Sequence, residues 1–496
     1  MPGGNQLRQF TSVDAQFIAA EDGCVHGHVV GLAIYDARGG LSTADVRDVV
    51  ASRIHLIPPF QRRMVSVPFG LDLPYWVTDP DFDLEAHIVE HQLPARADDH
   101  ALAKVVARIM ATPLDLSRPP WAIHVIHGLP EGRVALATAI HHAASDGIGM
   151  AEMFAILHDP SPEPRDLGTE LVPYGDGERV PSSLEMLVRG MAGIPRQPLR
   201  FVRSFPRALP HLDQVVTLRA MPGVPSVARL GRRAGRILGD GELLDEPTVL
   251  APRTRTTGKI SGERTVAFTS TPLSEIKAIK NHFGVTVNDV VMAVIAGALR
   301  SWFGDHDDLP DQPLAAMVPI SVRDPEQTGA FGNKIAMMIP AVYTDDPDPV
   351  SRLRRTHETM RAAKDRHRAV PATLLQDANH FIPPVLLARA ARASALVASS
   401  PRRGAAANVL ISNIPGAREA QYLGGARLVS HYPLSAIFHG LGLNVTVVSY
   451  GDQVDWGVAG DPAQIDDAWG LSERIREAQA ELFAAVSQEI VPAGAA

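Results

Sequence analysis

A single cysteine, Cys24, stands among the 496 residues of this sequence. A chain with one cysteine forms no internal disulfide and no paired-cysteine metal motif, and this usage suits a reducing cytoplasm. Basic residues are also outnumbered by acidic ones, since the formal net charge is -8 and the pI is near 6.2. Binding to a nucleic-acid backbone needs a basic footprint, so we expect no nucleic-acid partner.

Long apolar runs are missing as well. The longest clean run, VVMAVIAGAL at 290–299, has about half the length of a membrane-spanning helix. The N-terminal residues lack the apolar core of a signal peptide. We therefore expect a cytoplasmic protein that is not secreted and has no transmembrane helix. Hydrophobic residues make up 45% of the sequence and charged residues 21%, which is the composition of a folded globular protein.

What the sequence does have is an alternation of strand and helix patterns in two stretches. The first lies within residues 1–158, and the second begins near residue 261 and includes a strand pattern at 333–344 and a helix pattern at 350–399. The chain is longer than a single core usually supports. We therefore predict an α/β fold with mixed α+β sheets in two lobes, 1–158 and 261–496, joined by a connector at 159–260.

The connector has two parts of different composition. Residues 159–178 are rich in proline, glycine and acidic side chains, which is typical of a linker or surface loop. Residues 181–236 hold ten arginines against two acidic residues, mixed with leucine, valine and phenylalanine. An ordinary solvated surface accounts for such a run, and so does a segment that rests on anionic lipid. We expect peripheral contact with the inner membrane surface or with lipid droplets.

The stretch RVALATAIHHAASDGIGM, at 133–150, carries the most chemistry. Strand side chains alternate between faces, so we expect His141 and His142 to point to opposite sides of a sheet. Asp146 and Gly147 follow at a turn into a helix, where an aspartate can cap the helix or pair with an arginine. A neutral imidazole at such a turn is suited to general-base catalysis. Two other interpretations stay open from the residues alone: satisfied core histidines, and a zinc or iron site without a clear third ligand.

The segment HHAASDG resembles the HHxxxDG signature of the CoA-dependent acyltransferase superfamily, which includes chloramphenicol acetyltransferase. The chain as a whole resembles the bacterial wax ester synthase/diacylglycerol acyltransferase (WS/DGAT) family. The matching segments are SVDAQFIAAED, WVTDPDFDLEAHI, PLDLSRPPWAIHVIHGLPEGRVAL, VTVNDVVMAVIAGALR, VPISVR, FGNKIAMMIP, NVLISNIPG and LNVTVVSYGDQVDWGVAGD. Two positions depart from the family pattern. Pro120 replaces leucine in Pro-Leu-Trp, which bears on substrate selectivity, and Thr257 replaces asparagine in Asn-Gly.

The resemblance implies two chloramphenicol-acetyltransferase-like lobes with an active-site tunnel between them. It implies an acyl-CoA-dependent O-acyltransferase that moves a long-chain acyl group to diacylglycerol, a long-chain alcohol or both. The products are triacylglycerol or wax ester for lipid storage. His142 is then the general base, and the acceptor hydroxyl attacks the thioester directly, without an acyl-enzyme. Acyl-CoA is a substrate, and we expect no cofactor and no metal.

The resemblance also assigns supporting residues. His141 supports the motif, and Asp146 with Gly147 orients it. Ser412 and Asn413, in ISNIPG, are the candidates for stabilising the oxyanion.

The helix predicted at 286–303 supplies a weaker site candidate. Thr286 and Asp289 have the spacing of a capping box, so Asp289 is expected to be structural. Asn288 lies in the first turn, where partial negative charge is favoured, and is a further candidate for the cleft. Two alternative functions remain open. One is an acyltransferase or condensation enzyme that uses a carrier-protein thioester, and the other is a non-catalytic lipid-binding protein with the same fold.

Overall fold

The computed structural model describes residues 7–95, 97–165, 179–193, 209, 224–238, 251–321, 333, 335–368, 405 and 407–490. Its helices within these residues are α1 (Ser12–Ala20), α2 (Thr43–Arg53), α3 (Asp99–Met110), α4 (Gly147–Leu157), α5 (Ser183–Gly193), α6 (Val224–Leu238), α7 (Leu273–Phe283), α8 (Val287–Asp305), α9 (Pro349–Arg368) and α10 (Ala468–Ile490). Its strands are β1 (Arg8–Gln9), β2 (His28–Asp36), β3 (Arg62–Val65), β4 (Tyr75–Thr78), β5 (Ile88–Gln92), β6 (Trp121–His127), β7 (Arg133–His141), β8 (Thr265–Pro272), β9 (Leu314–Ser321), β10 (Ile335–Met338), β11 (Ala341–Val342), β12 (Val409–Ile414), β13 (Tyr422–Leu423), β14 (Ala426–Leu434), β15 (Leu443–Tyr450) and β16 (Gln453–Gly460).

Three sheets organise the described residues. The N-terminal lobe is built on a six-stranded sheet of order β13-β14-β2-β7-β6-β5. The C-terminal lobe is built on a seven-stranded sheet of order β10-β9-β12-β15-β16-β8, with β11 paired to β9, and a small third sheet has the order β1-β4-β3. Strand β5 runs parallel to β6, and β12 runs parallel to both β9 and β15, whereas the other pairs are antiparallel. The sheets are therefore mixed, as the sequence predicts.

The two lobes share strands across the predicted boundary at residue 261. Strands β13 and β14 come from the C-terminal half of the chain but complete the N-terminal sheet. Strand β14 pairs antiparallel with β2, so that His431 lies opposite Ala33. It also packs on the other sheet, since a Cβ added at Gly457 in β16 would lie 2.0 Å from the Pro433 carbonyl oxygen. A division by residue number alone does not describe this exchange.

Strand β7 sorts its side chains by size between its two faces. Its alanines belong to the core that contains α3, and its larger side chains belong to the core that contains α2 and α4. Small side chains on one face let α3 approach the sheet closely, and the larger ones fill the space under α2 and α4. The histidines at the end of β7 follow this alternation.

Helix α8 forms the centre of the C-terminal core. It begins at the predicted capping box, in which Thr286 and Asp289 exchange side chain to backbone hydrogen bonds. The sequence pattern predicts an amphipathic helix, but α8 is buried on nearly every side. The reason is that the sheet covers one face while α9 and α10 cover the other. A Cβ added at Gly297 would lie 2.8 Å from the Arg352 guanidinium, so this glycine permits the close helix packing.

One predicted strand of the second lobe is divided in the structure, and one predicted helix is described only in its first part. The strand predicted at 333–344 is divided into β10 and β11 around Pro340, because proline has no N–H for the ladder. The helix predicted at 350–399 is described as α9, and residues 369–399 lie outside the described residues.

The connector begins with a buried ion pair rather than with a surface loop. Asp159 is 2% exposed and contacts the guanidinium groups of Arg53 and Arg165. Helices α5 and α6 belong to the arginine-rich part, whose remaining residues, apart from Arg179 to Ser182 and Leu209, lie outside the described residues. No single helix of the described part is long and apolar enough to cross a bilayer. Helices α7 and α8 reach that length and composition only as a pair, which bends by 107°.

Candidate active site

A cavity of about 1030 Å³ lies between the two lobes. Its wall comes from α1, β2, β7, α4 and β14 on the side of the N-terminal sheet and from β12 and β15 on the side of the C-terminal sheet. The lining is mostly apolar, and His142 and Asp146 of the HHxxxDG segment belong to it. A mostly apolar cavity of this size with a few polar groups is the usual form of a site for an organic ligand.

His142 is held in place through its backbone and by ring stacking. Its N–H donates to the Gly27 carbonyl oxygen at 2.8 Å, and its carbonyl oxygen accepts from Asn333 Nδ2 at 2.7 Å. The imidazole stacks on Phe17 with 4.1 Å between ring centroids and 7° between planes. Two segments remote in sequence therefore fix the position of one side chain.

His141 lies on the other face of the sheet, as strand alternation predicts, and it is absent from the cavity wall. Its Nδ1 accepts the Ala143 N–H at 3.1 Å, so Nε2 carries the proton that is donated to Glu21 Oε1 at 3.2 Å. The same carboxylate oxygen accepts the Gly27 N–H at 2.7 Å. Glu21 thus links His141 to the loop whose carbonyl holds His142.

Burial determines the protonation state of His142. It lowers the pKa of His142, although the backbone of His142, the Asp146 carboxylate and the Asn333 side chain act in the opposite direction. The pKa of Glu21 would be raised by burial, but hydrogen bonds from the His141 side chain and the Gly27 N–H bring it below its usual value. At neutral pH the site therefore combines a neutral imidazole at His142 with an ionised carboxylate at Glu21.

Asp146 and Gly147 shape the turn that follows the histidines. The Asp146 carboxylate caps α4 by accepting the Gly149 N–H at 2.9 Å. Gly147 is not among the glycines with positive φ. A left-handed backbone conformation is therefore not the reason for a glycine at this turn. A Cβ at Gly147 would lie 3.4 Å from Ile414 of β12, so this is a point where the two lobes approach each other.

The second lobe contributes two of its three sequence candidates to the cavity wall. Ser412 and Asn413, near the end of β12, line the cavity. Asn288 does not line it, but its Oδ1 accepts from Asn413 Nδ2 at 3.4 Å. Asp289, assigned to a capping role, also contacts His357 Nδ1 through its carboxylate at 2.7 Å. Among the residues that the structure describes, no group of three histidine, cysteine or acidic side chains could hold a metal ion.

Asn333 and Glu21 are site residues that the sequence analysis did not single out. Asn333 Nδ2 bridges the His142 carbonyl and Asp14 Oδ1, each at 2.7 Å, and the residue is 5% exposed. Both lie in segments, FGNKIAMMIP and SVDAQFIAAED, that were recognised only as family resemblances. That resemblance was the available signal, because nothing in the local pattern relates either residue to His142.

Comparison with known proteins gives a consistent family. The wax ester synthase/diacylglycerol acyltransferase catalytic domain matches residues 10–291, and the WS/DGAT C-terminal domain matches residues 331–482. A putative diacylglycerol O-acyltransferase of Mycobacterium tuberculosis is 31% identical over 98% of this chain and 99% of its own length. A second one from that organism is 32% identical over 90% of this chain and 93% of its own length.

Solved structures agree in fold. The wax ester synthase/diacylglycerol acyltransferase from Marinobacter aquaeolei VT8 covers 97% of this chain and 100% of its own, with a TM-score of 0.67 and 26% identity. The starter condensation domain of rhizomide synthetase covers 97% of this chain and 95% of its own with a TM-score of 0.51, and at 14% identity it supports the fold alone. The protein is an acyltransferase, and its chain belongs to the WS/DGAT family.

Proposed function

We propose that this protein transfers a long-chain acyl group from acyl-CoA to the hydroxyl of diacylglycerol, of a long-chain alcohol or of both. The observation that carries the proposal is a buried imidazole of lowered pKa, His142, in the wall of a large and mostly apolar cavity between the lobes. An apolar cavity favours long hydrocarbon chains, and a neutral imidazole can accept the proton of a hydroxyl.

The reaction proceeds by direct attack. The His142 imidazole takes the proton of the acceptor hydroxyl as its oxygen forms a bond with the thioester carbonyl carbon. The resulting tetrahedral oxyanion needs a hydrogen-bond donor, and Asn413 or Ser412 is the candidate because both line the cavity. Collapse breaks the carbon–sulfur bond, and the thiolate of CoA takes the proton from the imidazolium. The step needs no cofactor and no acyl-enzyme.

His141 and Asp146 act through position rather than by contact with substrate. His141 is tied to Glu21 on the opposite face of the sheet, and Asp146 caps α4. Both interactions fix the backbone on either side of His142. We therefore assign His141, Asp146 and Gly147 to orientation of the motif.

Release of the CoA thiol tests the proposal. The purified protein receives palmitoyl-CoA with hexadecanol or, separately, with diacylglycerol. We expect thiol release that depends on an acceptor and falls by about two to four decades in His142→Ala with the fold retained. Absence of acceptor-dependent release would favour a lipid-binding protein. Release only from an acyl carrier protein thioester would favour the carrier-protein alternative.

Contact with a lipid surface is the second part of the proposal, and α5 supports it. Met186 packs this helix against Val67 and Tyr75. The opposite side exposes Leu184 by 70%, Val188 by 60% and Met191 by 56%. Their spacing places them on one face of the helix. An exposed apolar face in an arginine-rich connector fits a peripheral protein on the cytoplasmic side of an anionic membrane or on a lipid droplet.

Co-sedimentation with vesicles of phosphatidylglycerol and phosphatidylcholine tests this part. Val188→Asp should reduce binding without a change in the melting temperature, because the side chain is exposed. Val429→Asp, at a 40% exposed position on β14, is the control and should bind like the wild type. Equal binding of Val188→Asp and the wild type would contradict the assignment of α5.

A further inference from the structure

The cavity extends far beyond His142 along the sheet. Leu136 lies six residues before His142 on β7, opposite Ala33, and Ala33 lies opposite His431 of β14. At about 3.3 Å per residue this offset corresponds to roughly 20 Å along the strands. Helix α4, with 11 residues, runs beside the same stretch and covers about 16 Å. His142 and His431 both line the cavity, and the strand offset places them at well-separated positions.

Aromatic residues surround His431. Its ring stacks on Phe154 with centroids 4.3 Å apart, and Phe154 stacks in turn on His158 at 3.8 Å. Nδ1 of His158 donates to the Phe154 carbonyl oxygen at 2.6 Å, so Nε2 accepts from the Tyr35 hydroxyl at 2.7 Å. The Tyr35 hydroxyl and both ring nitrogens of His158 therefore have hydrogen-bond partners within the protein. Tyr35, Phe154, His158 and His431 all line the cavity, and we call them the distal cluster.

His431 differs from its neighbours because its ring has no hydrogen-bond partner among the described residues. Its backbone N–H donates to Asp455 at 2.7 Å, but neither ring nitrogen takes part in a hydrogen bond there. Burial lowers the pKa of His431 to about 4, so the ring is neutral and offers one donor and one acceptor. His431 is partly accessible from the cavity, so its donor and its acceptor are both available to a ligand in an apolar surrounding.

We propose that the distal cluster binds a hydroxyl group at the far end of a long hydrocarbon chain whose other end reacts at His142. The inference rests on the proposed acyl transfer and adds a substrate class to it. A hydroxyl both donates and accepts, which matches the two ring nitrogens of His431. The apolar lining between the two histidines accommodates the chain. An unsubstituted chain of the same length leaves His431 without a partner, so the site favours the hydroxylated one.

The hydrocarbon chain that reaches the distal cluster belongs either to the acyl group or to the acceptor. Two sets of substrate pairs distinguish these possibilities. The reference pair is palmitoyl-CoA with hexadecanol. The acyl arm replaces the donor with ω-hydroxypalmitoyl-CoA, and the acceptor arm replaces hexadecanol with the α,ω-diol of the same length. Thiol release gives kcat/KM for each pair, corrected for the two equivalent hydroxyls of the diol. We expect the wild type to prefer the hydroxylated substrate in one arm by about fivefold, the effect of one net hydrogen bond.

Two variants of His431 assign this preference to its ring. His431→Leu should abolish the preference, measured as the ratio of kcat/KM for the hydroxylated pair to kcat/KM for the reference pair, because leucine offers neither a donor nor an acceptor. It should also melt no lower than the wild type. His431→Gln retains a donor and an acceptor and should keep part of the preference. His124→Leu is the control, since burial also lowers the pKa of His124 to about 4 but this residue lies outside the cavity wall.

The results separate this inference from the proposed function. Thiol release from the reference pair supports acyl transfer independently of the distal cluster. With that release present, the inference would be overturned if neither hydroxylated substrate gave a higher kcat/KM than the reference pair. A preference that survives in His431→Leu would overturn it as well. If His431→Leu fails to fold, a reduced preference ratio in folded His431→Gln still links the preference to the ring. A ratio of wild-type size in His431→Gln would then count against the inference.

Discussion

Replacing Asn333 by alanine tests how the second lobe holds the histidine motif. Its Nδ2 donates at 2.7 Å both to the His142 carbonyl and to Asp14 Oδ1. A neutral hydrogen bond contributes about 1 kcal/mol and one to a charged group about 1.5–3 kcal/mol, so the free energy of unfolding should fall by about 2.5–4 kcal/mol. Turnover should fall about 10- to 100-fold, because a small displacement of a catalytic group is costly.

The pH dependence of this variant follows from Asp14. Burial raises the pKa of Asp14, and Asn333 opposes that shift. A raised carboxyl pKa favours the folded state at low pH, and this contribution is lost as pH rises through the folded pKa. Without the amide the pKa rises further. The stability difference between the variant and the wild type should therefore be larger at about pH 8 than at about pH 5, as measured by urea unfolding.

Asn408→Ala is the matched control for Asn333→Ala. Asn408 is 1% exposed, donates to the Pro252 carbonyl at 2.7 Å and accepts the Ala315 N–H at 2.9 Å. It has a comparable network but no contact with the histidine segment. Both variants should lose stability, and only Asn333→Ala should lose turnover per folded molecule. Equal turnover of the two variants, after correction for the folded fraction, would refute the reasoning.

Three further predictions concern protonation near the site. Glu21→Gln keeps the shape but removes the charge that accepts from His141 and Gly27, so turnover should fall severalfold with a small change in melting temperature. Because burial lowers the pKa of His142, the acid limb of kcat/KM should lie below about pH 6.5, and a limb above that value would contradict the neutral base. Burial lowers the pKa of His28 to about 3. The stability that it contributes above its unfolded pKa is lost as pH falls, and His28→Leu should reduce the slope of unfolding free energy against pH by up to about 1.4 kcal/mol per unit.

The parts of the site that the sequence predicts are those determined by local geometry. Alternation along β7 separates His141 from His142 because consecutive strand residues face opposite sides. The capping box of Thr286 and Asp289 needs only a spacing of three residues, and the structure contains it. Such features depend on residues that are close in the sequence, so they can be predicted without a tertiary structure.

The remaining parts depend on pairing between distant segments. Asn333 reaches His142 across 191 positions of the chain, and Glu21 reaches His141 across 120. The distal cluster forms because β14 of the C-terminal half pairs with β2 of the N-terminal half. No local periodicity indicates that pairing. The sequence accordingly singles out His142, but it predicts neither the groups that hold this residue nor the presence of His431 in the same wall.

The two hairpins that are each followed by an aspartate use this residue differently. Strands β6 and β7 end in the histidines, and Asp146 then caps α4. Strands β15 and β16 end at Gly460, and the aspartate that follows, Asp461, is fully buried. Its carboxylate accepts the Ser261 N–H at 2.9 Å and the Ser261 hydroxyl at 2.6 Å, so this turn anchors the start of the C-terminal lobe. The aspartate after the first hairpin therefore caps a helix beside the cavity, and the aspartate after the second holds the end of the connector. The Asp461 carboxylate is closed to any ligand in the cavity, because it is fully buried and both of its oxygens accept hydrogen bonds from Ser261.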